Sequence, residues 1–205
     1  MYPDVADLRE FYDGELGGFA RRLIRAALRR LWENVAGFSV LGLGYATPYL
    51  RPMLGEAARL FAFMPAPQGV TWWPREGPNA TALTEETTLP LAENSIDRIL
   101  LVHALENTQH LKALLEESWR VLAGNGRMVV VVPHRGGFWN MSSKIPFGSG
   151  FSFSHGHIRR LLADNRFQVE RHARALFVPP FLYRLLGPSA EWIERNGARF
   201  LPALA

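Results

Sequence analysis

The sequence predicts an α/β fold, a mostly parallel sheet flanked by helices, and three observations carry that expectation. From residue 38 onward, short apolar runs alternate with stretches of helical period, the pattern of parallel strands joined by crossover helices. A glycine-bearing turn, VLGLGYATPYL at residues 40–50, follows the first apolar run. The β-branched run at residues 129–132 follows a helical stretch and a turn carrying Gly124 and Gly126.

Asp4 is placed to cap a short helix running to Tyr12. A longer helix is expected over residues 16–34, where Phe19, Leu23, Ile24, Leu28 and Leu31 recur at helical spacing and Arg21, Arg22, Arg25, Arg29 and Arg30 crowd the other side. That basic face is either solvated or docks an acidic partner. No aromatic residues interleave with the arginines, which disfavours nucleic acid. Strands are expected at residues 39–43, 59–63, 81–83, 98–102, 127–132 and 169–178, with helices at 111–122 and 155–164. Thr47 is placed to cap the helix after the first strand, with Pro48 at its first position. The proline-rich segment 65–78, with Trp72 and Trp73, reads as an irregular loop.

After Pro179-Pro180 two short helical stretches follow, and nothing there reads as a seventh strand. An edge left unpaired would need covering by the C-terminal helices, by a partner chain or second copy, or by further chain. One domain is expected over residues 1–205: N-terminal helices to 37, a core over 38–178 and C-terminal helices from 179.

The 205 residues are enough for one buried core. Cysteine is absent, which excludes disulfides, thiolate metal sites and a cysteine nucleophile. No stretch approaches the ~18 continuous apolar residues of a membrane span, and the acidic N-terminus is unlike a signal peptide. A cytoplasmic location is the expectation. The net charge of +4 is carried mostly by arginine, since Lys112 and Lys144 are the only lysines. No phosphate-binding loop G-x-x-x-x-G-K-[ST] and no G-x-S-x-G elbow occurs. His155 and His157, two apart, do not share a helical face, and no metal site is expected.

Residues 89–107, LPLAENSIDRILLVHALEN, carry a Leu-Pro pair, the Asn94-Ser95 turn, Asp97, an apolar strand and a histidine-bearing loop. Residues 114–135, LLEESWRVLAGNGRMVVVVPHR, and the helix capped by Ser154 follow. In this order they resemble the class I S-adenosylmethionine-dependent methyltransferases of the type 11-like group, over roughly residues 38–178. The resemblance implies a Rossmann-like fold and S-adenosylmethionine as cofactor. It places Gly42 where the family has an acid, Gly44 at the first glycine of the motif and Tyr45 beside the nucleoside. Ala46 and Pro48 replace the remaining glycines.

Met64 stands where an acid takes the ribose hydroxyls, and Glu85 where an acid meets the adenine amino group. His103, at the carboxyl end of the fourth strand, is the candidate general base or an orienter of the methionine part; the alternative is a histidine bonded to neighbouring backbone. Trp139, Asn140, Lys144 and Phe147 are candidates to line a substrate pocket. Each charge-assisted bond lost with the missing ribose acid is worth about 1.5–3 kcal/mol. Two functions therefore stand open: methyl transfer to an unidentified acceptor, and an inactive methyltransferase-like binding or regulatory protein.

Overall fold

The computed structural model describes residues 2–142 and 144–200; the expectation for residues 201–205 lies outside them. Five parallel strands form one sheet in the order β3-β2-β1-β4-β5. They are β1 (Ser39–Gly44), β2 (Arg59–Pro65), β3 (Thr81–Thr84), β4 (Ile96–Val102) and β5 (Leu122–Val131). β1 is buried at every residue, as a central strand covered on both faces must be. Strands are added on one side of β1 as far as β3 and on the other side from β4. The reversal opens a crevice at the carboxyl ends of β1 and β4, the usual ligand position in such sheets.

Seven α-helices are described: α1 (Val5–Asp13), α2 (Glu15–Leu31), α3 (Thr47–Leu50), α4 (Leu111–Val121), α5 (His155–Asp164), α6 (Tyr183–Leu186) and α7 (Ala190–Phe200). Asp4 accepts from the Ala6 amide at 2.7 Å and Ser154 from that of His157, so both expected caps form. One apolar cluster joins Leu8 and Tyr12 of α1 and Leu23, Ile24 and Leu28 of α2 to Val40, Leu100 and Val102 of the sheet. A second, on the opposite face, joins Leu114 and Leu115 of α4 to Leu41, Ile99 and Leu101.

Four expectations need correction. The stretch 169–178 is not a strand: Leu176 has φ 67°, and the Leu176 and Phe177 amides donate to the Glu194 carboxylate at 2.9 and 2.8 Å. Among the described residues no strand follows β5, and a groove of about 570 Å³ runs between β5 and residues 168–176. Thr47 does not cap α3; it is the first helical residue, Ala46 is the cap without a side-chain bond, and the helix has only 4 residues. The glycine turn before β5 is instead an irregularity inside the strand, where Gly126 packs against Leu122 and the register to β4 shifts. Finally, the basic face of α2 is partly engaged: Arg25 Nε donates to the Pro48 carbonyl at 2.8 Å, and Arg29 pairs with Glu56.

Candidate functional site at the carboxyl ends of β1 and β4

Gly44 ends β1 with φ 79°, and the next amide, that of Tyr45, donates to the Val102 carbonyl at 2.8 Å. A Cβ on Gly44 would stand 2.2 Å from that same carbonyl oxygen, so only glycine lets the two strands meet here. His103 follows β4 directly. Its φ of 53° turns the chain sharply, and its side chain is 0% exposed.

The ring facing this junction belongs to the chain itself. Tyr12, near the end of α1, stacks on Tyr45 with ring centroids 5.7 Å apart and meets Tyr49 edge-on at 5.8 Å. Its hydroxyl lies 2.8 Å from the Tyr49 hydroxyl and 2.8 Å from His103 Nε2. His103 Nδ1 lies 3.1 Å from Glu106 Oε1, and Phe147 packs on the imidazole at 4.9 Å. With a neutral imidazole, Tyr49 donates to Tyr12, Tyr12 to Nε2, and Nδ1–H to Glu106; with both ring nitrogens protonated, Nε2–H donates to Tyr12 and Tyr12 to Tyr49. Burial pushes the Tyr12 and Tyr49 hydroxyls well above the usual phenol range and Tyr45 up to about 12, so all three are protonated near neutrality.

A second phenol closes the neighbouring space. The Tyr2 hydroxyl donates to Glu86 and lies 3.4 Å from the Ala104 carbonyl, while Thr108 donates to the other Glu86 oxygen. Glu86 is thus the glutamate turned inward, and Glu85 is exposed. The Val5 amide donates to the Gln68 carbonyl at 2.8 Å, fastening the start of α1 beyond β2. The Gln68 side-chain amide and Glu106 Oε2 are buried without a hydrogen-bond partner among the described residues.

Two of the positions that the resemblance assigns to S-adenosylmethionine offer it no polar partner. A Cβ on Gly42 would lie 2.6 Å from Leu50 Cδ1 and 2.7 Å from Ala46 Cβ, both buried, so the position has no room for the family's acid. Met64 is 0% exposed and belongs to the apolar core, offering the ribose hydroxyls no acceptor. The one-turn α3 supplies only a weak dipole end at the glycine turn. Tyr12, itself 2% exposed, stacks on Tyr45, the residue after Gly44.

The sequence-predicted positions Gly44, Tyr45 and His103 are therefore brought together, Gly42 and Met64 lie in the core beside them, and Glu85 points away. In the loop after β5, Trp139 and Phe147 are buried, Asn140 is half-buried and Lys144 is exposed. The Trp139 indole donates to the Val178 carbonyl at 2.8 Å. Asp97 accepts from the Ser39 amide at 2.8 Å and so serves the start of β1. Sequence reasoning missed Tyr2, Tyr12, Tyr49, Glu86 and Glu106 as members of the site. Two weak signals existed: Leu8 and Tyr12 stand one helical turn apart on α1, and Glu106 follows His103 by three residues.

A family model described as a methyltransferase domain matches residues 40–130. No curated protein matches the chain in sequence. Solved structures share the fold. An S-adenosylmethionine-dependent methyltransferase from Thermotoga maritima superposes with a TM-score of 0.60 at 17% identity, covering 80% of this chain and 78% of that one. A methyltransferase–activator complex from Haloferax volcanii gives 0.62 at 21% identity, with 83% and 80% covered. A methyltransferase from Mesorhizobium loti gives 0.61 at 14% identity, with 82% and 91% covered. The shared sheet shows a Rossmann-like class I methyltransferase fold, and residues 40–130, which include most of the ordered motifs of residues 89–135, match the methyltransferase domain, with an altered first glycine motif.

Proposed function

We propose that this chain, with its methyltransferase fold, is a binding or regulatory protein that does not transfer methyl groups from S-adenosylmethionine. One observation carries the reading: Tyr12 occupies the crevice at the carboxyl ends of β1 and β4 and is hydrogen-bonded there to His103 and Tyr49. The partner surface we assign to this role is the free edge of β5, open to a protein partner or to a second copy of the chain. No helix among the described residues is long and apolar enough to cross a membrane, and we place the protein in the cytoplasm.

A second reading is methyl transfer from S-adenosylmethionine to an unidentified acceptor. It is favoured by the domain match over residues 40–130 and by the retained Gly44 turn. On that reading Gly42, Gly44, Tyr45, Met64 and Glu85 would border the cofactor, His103 would orient it or act as base, and α1 would first have to leave. Titration calorimetry with S-adenosylmethionine and S-adenosylhomocysteine separates the two. The first reading expects no heat of binding at millimolar ligand; a dissociation constant of about 10 μM or tighter, some −7 kcal/mol, would establish the second.

A further inference from the structure

We propose that the crevice at the carboxyl ends of β1 and β4 is a phenol-binding site, with Tyr12 as its tethered ligand. The inference rests on the reading that the nucleoside cofactor is not held there. What the crevice holds is a hydroxylated aromatic ring, and each part of that ring has a partner of matching chemistry. Its face lies on Tyr45, and Tyr49 and Phe11 stand at right angles to it with centroids 5.8 and 5.1 Å away. Its hydroxyl is satisfied twice, by His103 Nε2 and by the Tyr49 hydroxyl, each at 2.8 Å.

The polarity of the acceptor is set from behind. In the neutral ring, with Nδ1–H directed at Glu106, Nε2 of His103 presents a lone pair to the ring hydroxyl. A ring without a hydroxyl would leave both Nε2 and the Tyr49 hydroxyl buried and unpaired, a penalty that makes such sites selective. A ribose, by contrast, meets buried Met64 and the filled space at Gly42. The ligand class that suits this lining is therefore a simple phenol or a tyrosyl side chain, admitted when Tyr12 is absent or displaced.

The test uses Tyr12→Ala in the full chain with three probes: p-cresol, which is the tyrosine side chain itself; toluene, which lacks the hydroxyl; and S-adenosylhomocysteine. Binding is read by calorimetry and by thermal shift. Tyr12→Ala should bind p-cresol at least about tenfold more tightly than toluene, and the wild-type chain should bind neither. Adding His103→Leu to Tyr12→Ala should bring the two affinities within about twofold. Equal affinity for p-cresol and toluene in Tyr12→Ala, or binding of neither by the folded variant, overturns the proposal.

If S-adenosylhomocysteine binds the wild-type chain, the closed-cofactor reading fails while the preference for p-cresol in Tyr12→Ala still decides the phenol site. If it binds Tyr12→Ala and p-cresol does not, both fail. Should Tyr12→Ala not fold unaided, refolding from urea replaces titration: recovery of native signal with p-cresol but not with toluene supports the site, and recovery with neither overturns it.

Discussion

At Gly44 the left-handed backbone and the contact with the Val102 carbonyl coincide, so a methyl group there is opposed twice. Gly44→Ala should lower stability by about 3 kcal/mol, read from urea unfolding midpoints; a loss below about 1 kcal/mol would mean that β1 and β4 separate easily at this point. Positions whose roles are local were legible in the sequence: Gly44 in its turn, Asp4 and Ser154 at helix starts. Tyr12 was not, because its meaning depends on His103, 91 residues away. No spacing rule connects a ring on the first helix with an imidazole after the fourth strand. Glu85 and Glu86 show the limit from another side. Adjacent glutamates are equivalent on paper, and only the turn after β3 decides that Glu86 faces Tyr2 and Thr108.

Among the elements, the strands through β5 were read from their apolar runs; β1 is buried throughout and β2 and β4 toward their carboxyl ends, whereas the edge strands β3 and β5 are only partly covered. The stretch 169–178 has similar residues and fails as a strand, since its amides at 176 and 177 are claimed by a carboxylate from α7. β5 consequently pairs with β4 on one side and, among the described residues, with no strand on the other. Hydrogen exchange should report this directly. Amides of β1 should all exchange slowly, whereas along residues 127–131 slow amides that donate to β4 should alternate with fast ones. Uniform protection along β5 at low protein concentration would show that another segment pairs with this edge.

Across the whole molecule, ion pairs and carboxylates tie distant segments into the sheet. Arg120 donates to the Leu89 and Leu91 carbonyls and to Glu117, which in turn accepts from the Leu89 amide at 2.8 Å, so α4 grips the Leu-Pro turn before β4. The Arg120 guanidinium, helped by that amide, holds the Glu117 carboxyl below its usual range. A depressed folded value means that the stabilisation is complete above the unfolded value of about 4.3 and fades as pH falls through the folded one. Glu117→Gln should therefore cost about 1.5 kcal/mol at pH 7 and much less near pH 2; equal losses at both, by urea unfolding, would assign the effect to packing. Glu194 has the opposite sign, because burial raises it against the pull of its amide bonds. Its contribution is complete below about pH 4.3 and is lost as pH rises through the raised value.

The reach from Tyr12 to His103 also sets an order in time. A chain made from its N-terminus exposes Tyr2 and Tyr12 first, yet their partners Ala104 and His103 emerge 102 and 91 residues later. At ordinary synthesis rates α1 waits roughly 5–20 s beside the ribosome with its phenols unmatched. During that interval Tyr12 has no imidazole to meet, and its place is completed only when the turn after β4 has followed.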